Sequence, residues 1–140
     1  MASNSTSGPT VHYNVYIIYF NQATGPPHEG IALVPSQFPN QTAGRFYHVK
    51  GTVGMGMDYE CRPGYNFGAS RSYQKSSYQF QIPKSRLADF ERIAQSRPPP
   101  HDPRALTERN PNPPVRDCAE WVVEVLNETK TALQGSSTNA

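Results

Sequence analysis

The chain has 140 residues, with 13 Lys and Arg against 11 Asp and Glu, two Cys, fourteen Pro and ten Gly. That length accommodates one domain, and a formal net charge of +2 with no basic cluster longer than two residues excludes a general nucleic-acid binder. The longest apolar run, about eight residues around 15–20, is too short to span a bilayer, so no membrane anchor is expected. Residues 1–10 lack the charged and apolar regions of a secretory signal, which leads to the expectation of a cytoplasmic protein with free thiols. The glycosylation sequons at Asn4, Asn40 and Asn127 then read as chance matches.

Taken in chain order, residues 1–10 are Ser/Thr/Asn-rich and expected to be disordered, as is a tail over 135–140; a single domain fills 11–134. Residues 11–20 are rich in Val, Ile, Tyr and Phe and predict a strand. Gly25-Pro26-Pro27 marks a loop, 28–34 a second strand ended by Pro35, and 45–51 a third. A fourth strand is expected over 54–61, with Pro63-Gly64 in the following turn, and a fifth over 73–82, ended by Pro83. Beyond Pro83 the period becomes helical: Ser85 is a suitable N-cap, and Leu87, Phe90, Ile93 and Ala94 share one face. Residues 96–116 hold seven prolines and room for one short helical turn at 104–109, a stretch too long for a neutral connector. A second helix is predicted over 117–133, opened by the Asp117/Glu120 capping-box spacing and striped by Trp121, Val122, Val125, Leu126 and Thr129. Five strands followed by helices predict an α+β fold: an antiparallel meander of four to six strands packed against helices.

Cys118 follows the expected N-cap, at a helix end whose unpaired N–H groups and positive dipole favour a thiolate. Asp117 opposes this, so a base is needed; equally, a Cys here can be a small apolar residue that begins a helix. His28 opens the second strand and His48 lies within the third, where the two can face one side as base and orienter for a thiol nucleophile. His12 and His101 read as solvent-facing and Cys61 as structural. No C-x-x-C or H-x-x-x-H spacing exists, so neither metal nor cofactor is expected. Tyr16, Tyr19 and Tyr47 are the candidates for a second oxyanion donor beside the Cys118 N–H.

Three segments together resemble the permuted papain-like, NlpC-type thiol enzymes, in particular the lecithin:retinol acyltransferase-like branch. They are His28-Glu29-Gly30-Ile31-Ala32-Leu33, Phe46-Tyr47-His48-Val49 and Asp117-Cys118-Ala119-Glu120-Trp121-Val122, in that order. The resemblance implies a Cys118 nucleophile acylated by its substrate, a His28 base and a His48 orienter. It departs from the branch in the insertion at 36–43, in Asp117 where the family has Asn, and in Trp121 where a basic residue is usual. Those departures bear on the lipid substrate more than on the thiol chemistry. The reading is therefore a cysteine-dependent hydrolase or acyltransferase for a small-molecule or peptide acyl substrate. A non-catalytic binding module on the same fold is the alternative, because Pro98-Pro99-Pro100 and Pro111-Asn112-Pro113-Pro114 suit docking as extended segments.

Overall fold

A computed structural model describes residues 11–139; the segment 1–10, expected to be disordered, lies outside the described residues. Five strands form one antiparallel sheet: β1 (His12–Phe20), β2 (His28–Pro35), β3 (Gly44–Lys50), β4 (Asp58–Tyr65) and β5 (Tyr73–Pro83). Their spatial order is β4-β3-β2-β1-β5. The α+β fold with an antiparallel sheet is as the sequence predicts, but the connection to β5 is not a meander. β5 crosses the sheet and pairs with β1 instead of β4. The reason is legible in β1, whose Val15 and Ile17 bury on one face and Ile18 and Phe20 on the other. A strand apolar on both faces would expose one row of backbone and much of its side chains at an edge. β5, rich in Ser and Gln, takes that edge instead.

Three further expectations are corrected. β4 starts at Asp58, not residue 54, because Gly51 and Gly56 have positive φ (99° and 98°) and turn the chain over 51–57. It then runs through Pro63-Gly64, which the sequence reading assigned to a turn. β4 is an edge strand, and Phe46 pairs with Arg62 while Gly44 pairs with Tyr65, so a bulge absorbs one residue there. Edges and bulges are where a strand tolerates proline. Ser85 is not an N-cap: Lys84–Arg86 form a 3-10 turn, and α1 (Leu87–Ser96) starts after Arg86 with no side-chain cap.

The helices cover one face. The main core joins Val15, Ile17, Ile31, Leu33, Tyr47 and Val49 of the sheet to Phe90 and Ile93 of α1 and Trp121, Val122, Val125 and Leu126 of the last helix. A smaller cluster on the opposite face holds Ile18, Phe20, Ala32, Val34 and Phe46 under Phe67, which lies in a 3-10 turn at Phe67–Ala69. Between them, Gly30 to Val34 of the central strand are all buried, which is why that strand reads as an unbroken apolar run rather than an alternation.

The proline-rich segment has no strand and one helical turn, α2 (Arg104–Thr107). It is tied to the 51–57 turn: Met57 N–H donates to Pro100 O (2.9 Å) and Asp102 N–H to Val53 O (2.9 Å). The last helix, α3 (Cys118–Asn139), is capped as the sequence predicts. Ala119 N–H donates to Asp117 Oδ1 and Asp117 N–H to Glu120 Oε1, both at 2.9 Å. Its backbone continues past Leu133 through Gly135 to Asn139, residues expected as a disordered tail. Among the described residues no helix is long and apolar enough to cross a membrane.

Candidate active site

Strand alternation determines which way each polar side chain points. In β3, Tyr47 and Val49 face the helices, so His48 faces the other way with Phe46, their rings 4.8 Å apart. In β2, Ile31 faces the helices, so Gly30 and His28 do not; the His28 ring lies 6.1 Å from Phe20. In β4, Tyr59 and Cys61 pack on the main core, which turns Glu60 and Arg62 to the same side as the histidines. Gly30 is needed for this arrangement. A Cβ there would lie 2.4 Å from the Phe46 ring and 3.1 Å from the His48 Cβ.

The result is a row of three side chains across β2, β3 and β4. His28 Nε2 is 2.8 Å from His48 Nδ1, and His48 Nε2 is 2.8 Å from Glu60 Oε1. The His48 bond first, with help from Lys50, holds the Glu60 carboxyl below the usual range, so Glu60 is an ionised acceptor. Burial holds both imidazoles below their ordinary pKa, with His28 down to about 4, so both are neutral at pH 7. A carboxylate accepts hydrogen bonds and does not donate them. His48 therefore carries its proton on Nε2, and its Nδ1 has a lone pair. That lone pair can only accept, so His28 donates through Nε2–H and keeps its own lone pair on Nδ1. One carboxylate thus sets two tautomers in series.

Cys118 lies on the helix side of the sheet. It is buried in the main core at the start of α3. His28, as the first residue of β2, stands where the two faces meet. It lines a cavity of about 180 Å³ with Cys118, Asp117, Gln22, Val53 and Met57, and it also lines a cleft of about 290 Å³ with His48 on the far face. Cys118 and His28 thus share a cavity, while the hydrogen bonds of each go elsewhere. Backbone N–H groups of Glu29 and Ala119 serve the sulfur, and His48 serves the imidazole. Burial pushes the Cys118 thiol up, and the charges of Asp117 and Glu29 add to that rise. The resting pair is a neutral thiol and a neutral imidazole.

The sequence reading named His28, His48 and Cys118, and missed Glu60. The available signal was parity: β3 and β4 form a hairpin in which His48 pairs with Glu60 directly. None of the three tyrosines proposed as oxyanion donors lines the Cys118 cavity. Tyr47 is buried in the main core and donates to Glu91 Oε2 at 2.6 Å, while Tyr16 faces the other side against Tyr78. Tyr19 sits beneath Lys75. The one side-chain amide in that cavity is Gln22. No residue of the proline-rich segment 96–116, expected to form a wall, lines that cavity; the segment is hydrogen-bonded to the 51–57 turn, whose Gly51, Val53 and Met57 do. Among the described residues no group of three or more His, Cys, Asp or Glu is placed to hold a metal ion.

A family model described as a family of unknown function, DUF6540, matches residues 15–132. The chain belongs to the DUF6540 family. The match spans all five strands except the first residues of β1, and it includes His28, His48, Glu60 and Cys118 of this DUF6540 chain. No curated protein and no solved structure matched it.

Proposed function

We propose that this DUF6540 protein is a cysteine-dependent acyl-transfer enzyme related to the permuted papain-like thiol enzymes. The observation that carries the reading is the His28–His48–Glu60 row, whose end residue, His28, lines the same cavity as Cys118 at the start of α3. The Cys118 S–H proton passes to His28 Nδ1 as sulfur attacks the acyl carbonyl carbon, and a tetrahedral oxyanion forms. Its collapse expels the leaving group, which takes the proton from His28, and leaves a thioester on Cys118. Water or an amine then attacks the thioester carbonyl, giving its proton to His28 and releasing the sulfur as a thiol. During both steps His28 is transiently cationic. His48 and Glu60 hold its ring and stabilise that charge through Nε2–H.

A small-molecule or peptide acyl donor suits a cavity of this size. The deciding experiment is intact-mass analysis of the protein after incubation with acyl N-acetylcysteamine thioesters. The expected result is a single acyl adduct that is absent from Cys118→Ala and strongly reduced in His28→Ala. No adduct on Cys118 with any donor would sink the enzyme reading.

The non-catalytic binding module has one specific observation in its favour, the raised thiol of a Cys118 that hydrogen-bonds backbone rather than imidazole. On that reading Cys118 is a packing residue, and iodoacetamide would alkylate it no faster in the wild type than in His28→Ala.

A further inference from the structure

The cleft on the far face of the sheet contains, beside His28 and His48, the guanidinium of Arg62 and the hydroxyls of Ser70 and Ser72. Its lining includes no carboxylate. Arg62 stands 3.9 Å above the centroid of the Tyr65 ring, although residues three apart in a strand normally face opposite ways. The bulge at Pro63-Gly64 accounts for this, because it absorbs one residue between Arg62 and Tyr65 and turns both to the same face. The stacked guanidinium is thereby oriented before any ligand arrives. Glu60, the acid two residues away on that face, is already engaged by His48 and Lys50. Ser70 and Ser72 are also held in place, their hydroxyls 3.1 Å apart and Ser72 N–H on Ser70 Oγ.

Charge is distributed unevenly about His28. On the thiol side stand Asp117, Glu29 and Glu120; burial first, and then the charges of Asp117 and Glu120, raise the Glu29 carboxyl. On the far side Arg62 is the cation in the cleft. An anionic group is repelled from the first side and attracted to the second. We infer that the Arg62 cleft is a subsite for a carboxylate carried by the substrate, so that the preferred acyl donor is an acid-bearing acyl chain whose far end lies against Arg62, Ser70 and Ser72. This inference rests on the acyl-transfer reading for the donor's identity, and on the cleft alone for the anion.

Two measurements separate those parts. The first is binding of glutarate to the full chain, followed by amide chemical shifts. Saturable shifts at Arg62, Ser70 and Ser72, lost in Arg62→Gln and partly kept in Arg62→Lys, are the expected result. Absence of saturation, or the same shifts in Arg62→Gln, would overturn the subsite whether or not the protein is an enzyme. The second compares acylation of Cys118 by adipoyl and hexanoyl N-acetylcysteamine thioesters. One charge-assisted contact at an exposed cation favours the adipoyl donor about tenfold, and Arg62→Gln brings the ratio of the two rates to about one. Equal rates in the wild type would remove the substrate assignment. Acylation by neither donor would count against the enzyme reading, with glutarate binding still deciding the subsite.

Discussion

Glu60 Oε1 lies 2.8 Å from His48 Nε2, and this contact governs an imidazole it does not touch. By accepting the Nε2–H of His48 it leaves His48 Nδ1 as an acceptor, which in turn leaves the lone pair of His28 on Nδ1. Without the carboxylate, His48 can take either tautomer, and His28 follows it. Glu60→Ala is therefore expected to slow acylation of Cys118 by about 10- to 100-fold, whereas Glu60→Gln, whose amide oxygen can still accept, loses less. Equal rates in Glu60→Ala and the wild type, measured by intact mass in single turnover, would show that tautomer control is not needed.

The same pair makes stability depend on pH. Burial holds His28 at about 4 in the folded protein, below the ordinary value near 6.5, and His48 is lowered as well. Between those values the unfolded chain binds more protons than the folded one, so stability is present above pH 6.5 and is lost as pH falls toward 4. For His28 the loss is about 3 kcal/mol. Urea unfolding at pH 7 and pH 4.5 tests this, and His28→Asn should flatten the difference. A wild-type stability that stays level or rises on acidification would contradict the burial of neutral imidazoles.

Gly30 keeps the histidine row in register. With no space for a Cβ beneath the Phe46 ring, Gly30→Ala must displace Phe46, and the His48 ring packs against Phe46, tilted by 47° with centroids 4.8 Å apart. Overpacking of this kind costs about 2 kcal/mol. Acylation should fall along with stability, because the His48 ring moves with its neighbour. Thermal unfolding that matches the wild type within error would show that the sheet relaxes at no cost.

Tyr59 offers a gain instead. Its hydroxyl is buried and has no hydrogen-bond partner, in a side chain that packs against the main core beside Trp121. Tyr59→Phe removes an unsatisfied donor and keeps the ring, which should stabilise the protein by about 1 kcal/mol. Chemical denaturation gives the sign directly, and a loss of stability would mean that the hydroxyl has a partner in solution.

Much of this protein follows from local sequence alone. The five strands, the helical period after Pro83 and the Asp117/Glu120 cap depend on side-chain alternation and on backbone groups within a few residues, so they were legible without a fold. His28, His48 and Cys118 could be named as candidates from sequence because a helix start and strand residues are local features and because three motifs follow one another in the order of a known family. Tertiary structure decided the rest. The move of β5 to the free edge of β1 came from the need to bury both faces of β1, a constraint spread over the whole sheet. The pairing of His48 with Glu60, and the bulge that sets Arg62 over Tyr65, depend on the register of β3 against β4. A shift of one residue there would turn the partner side chains to the other face, and no single strand contains the information that chooses the register.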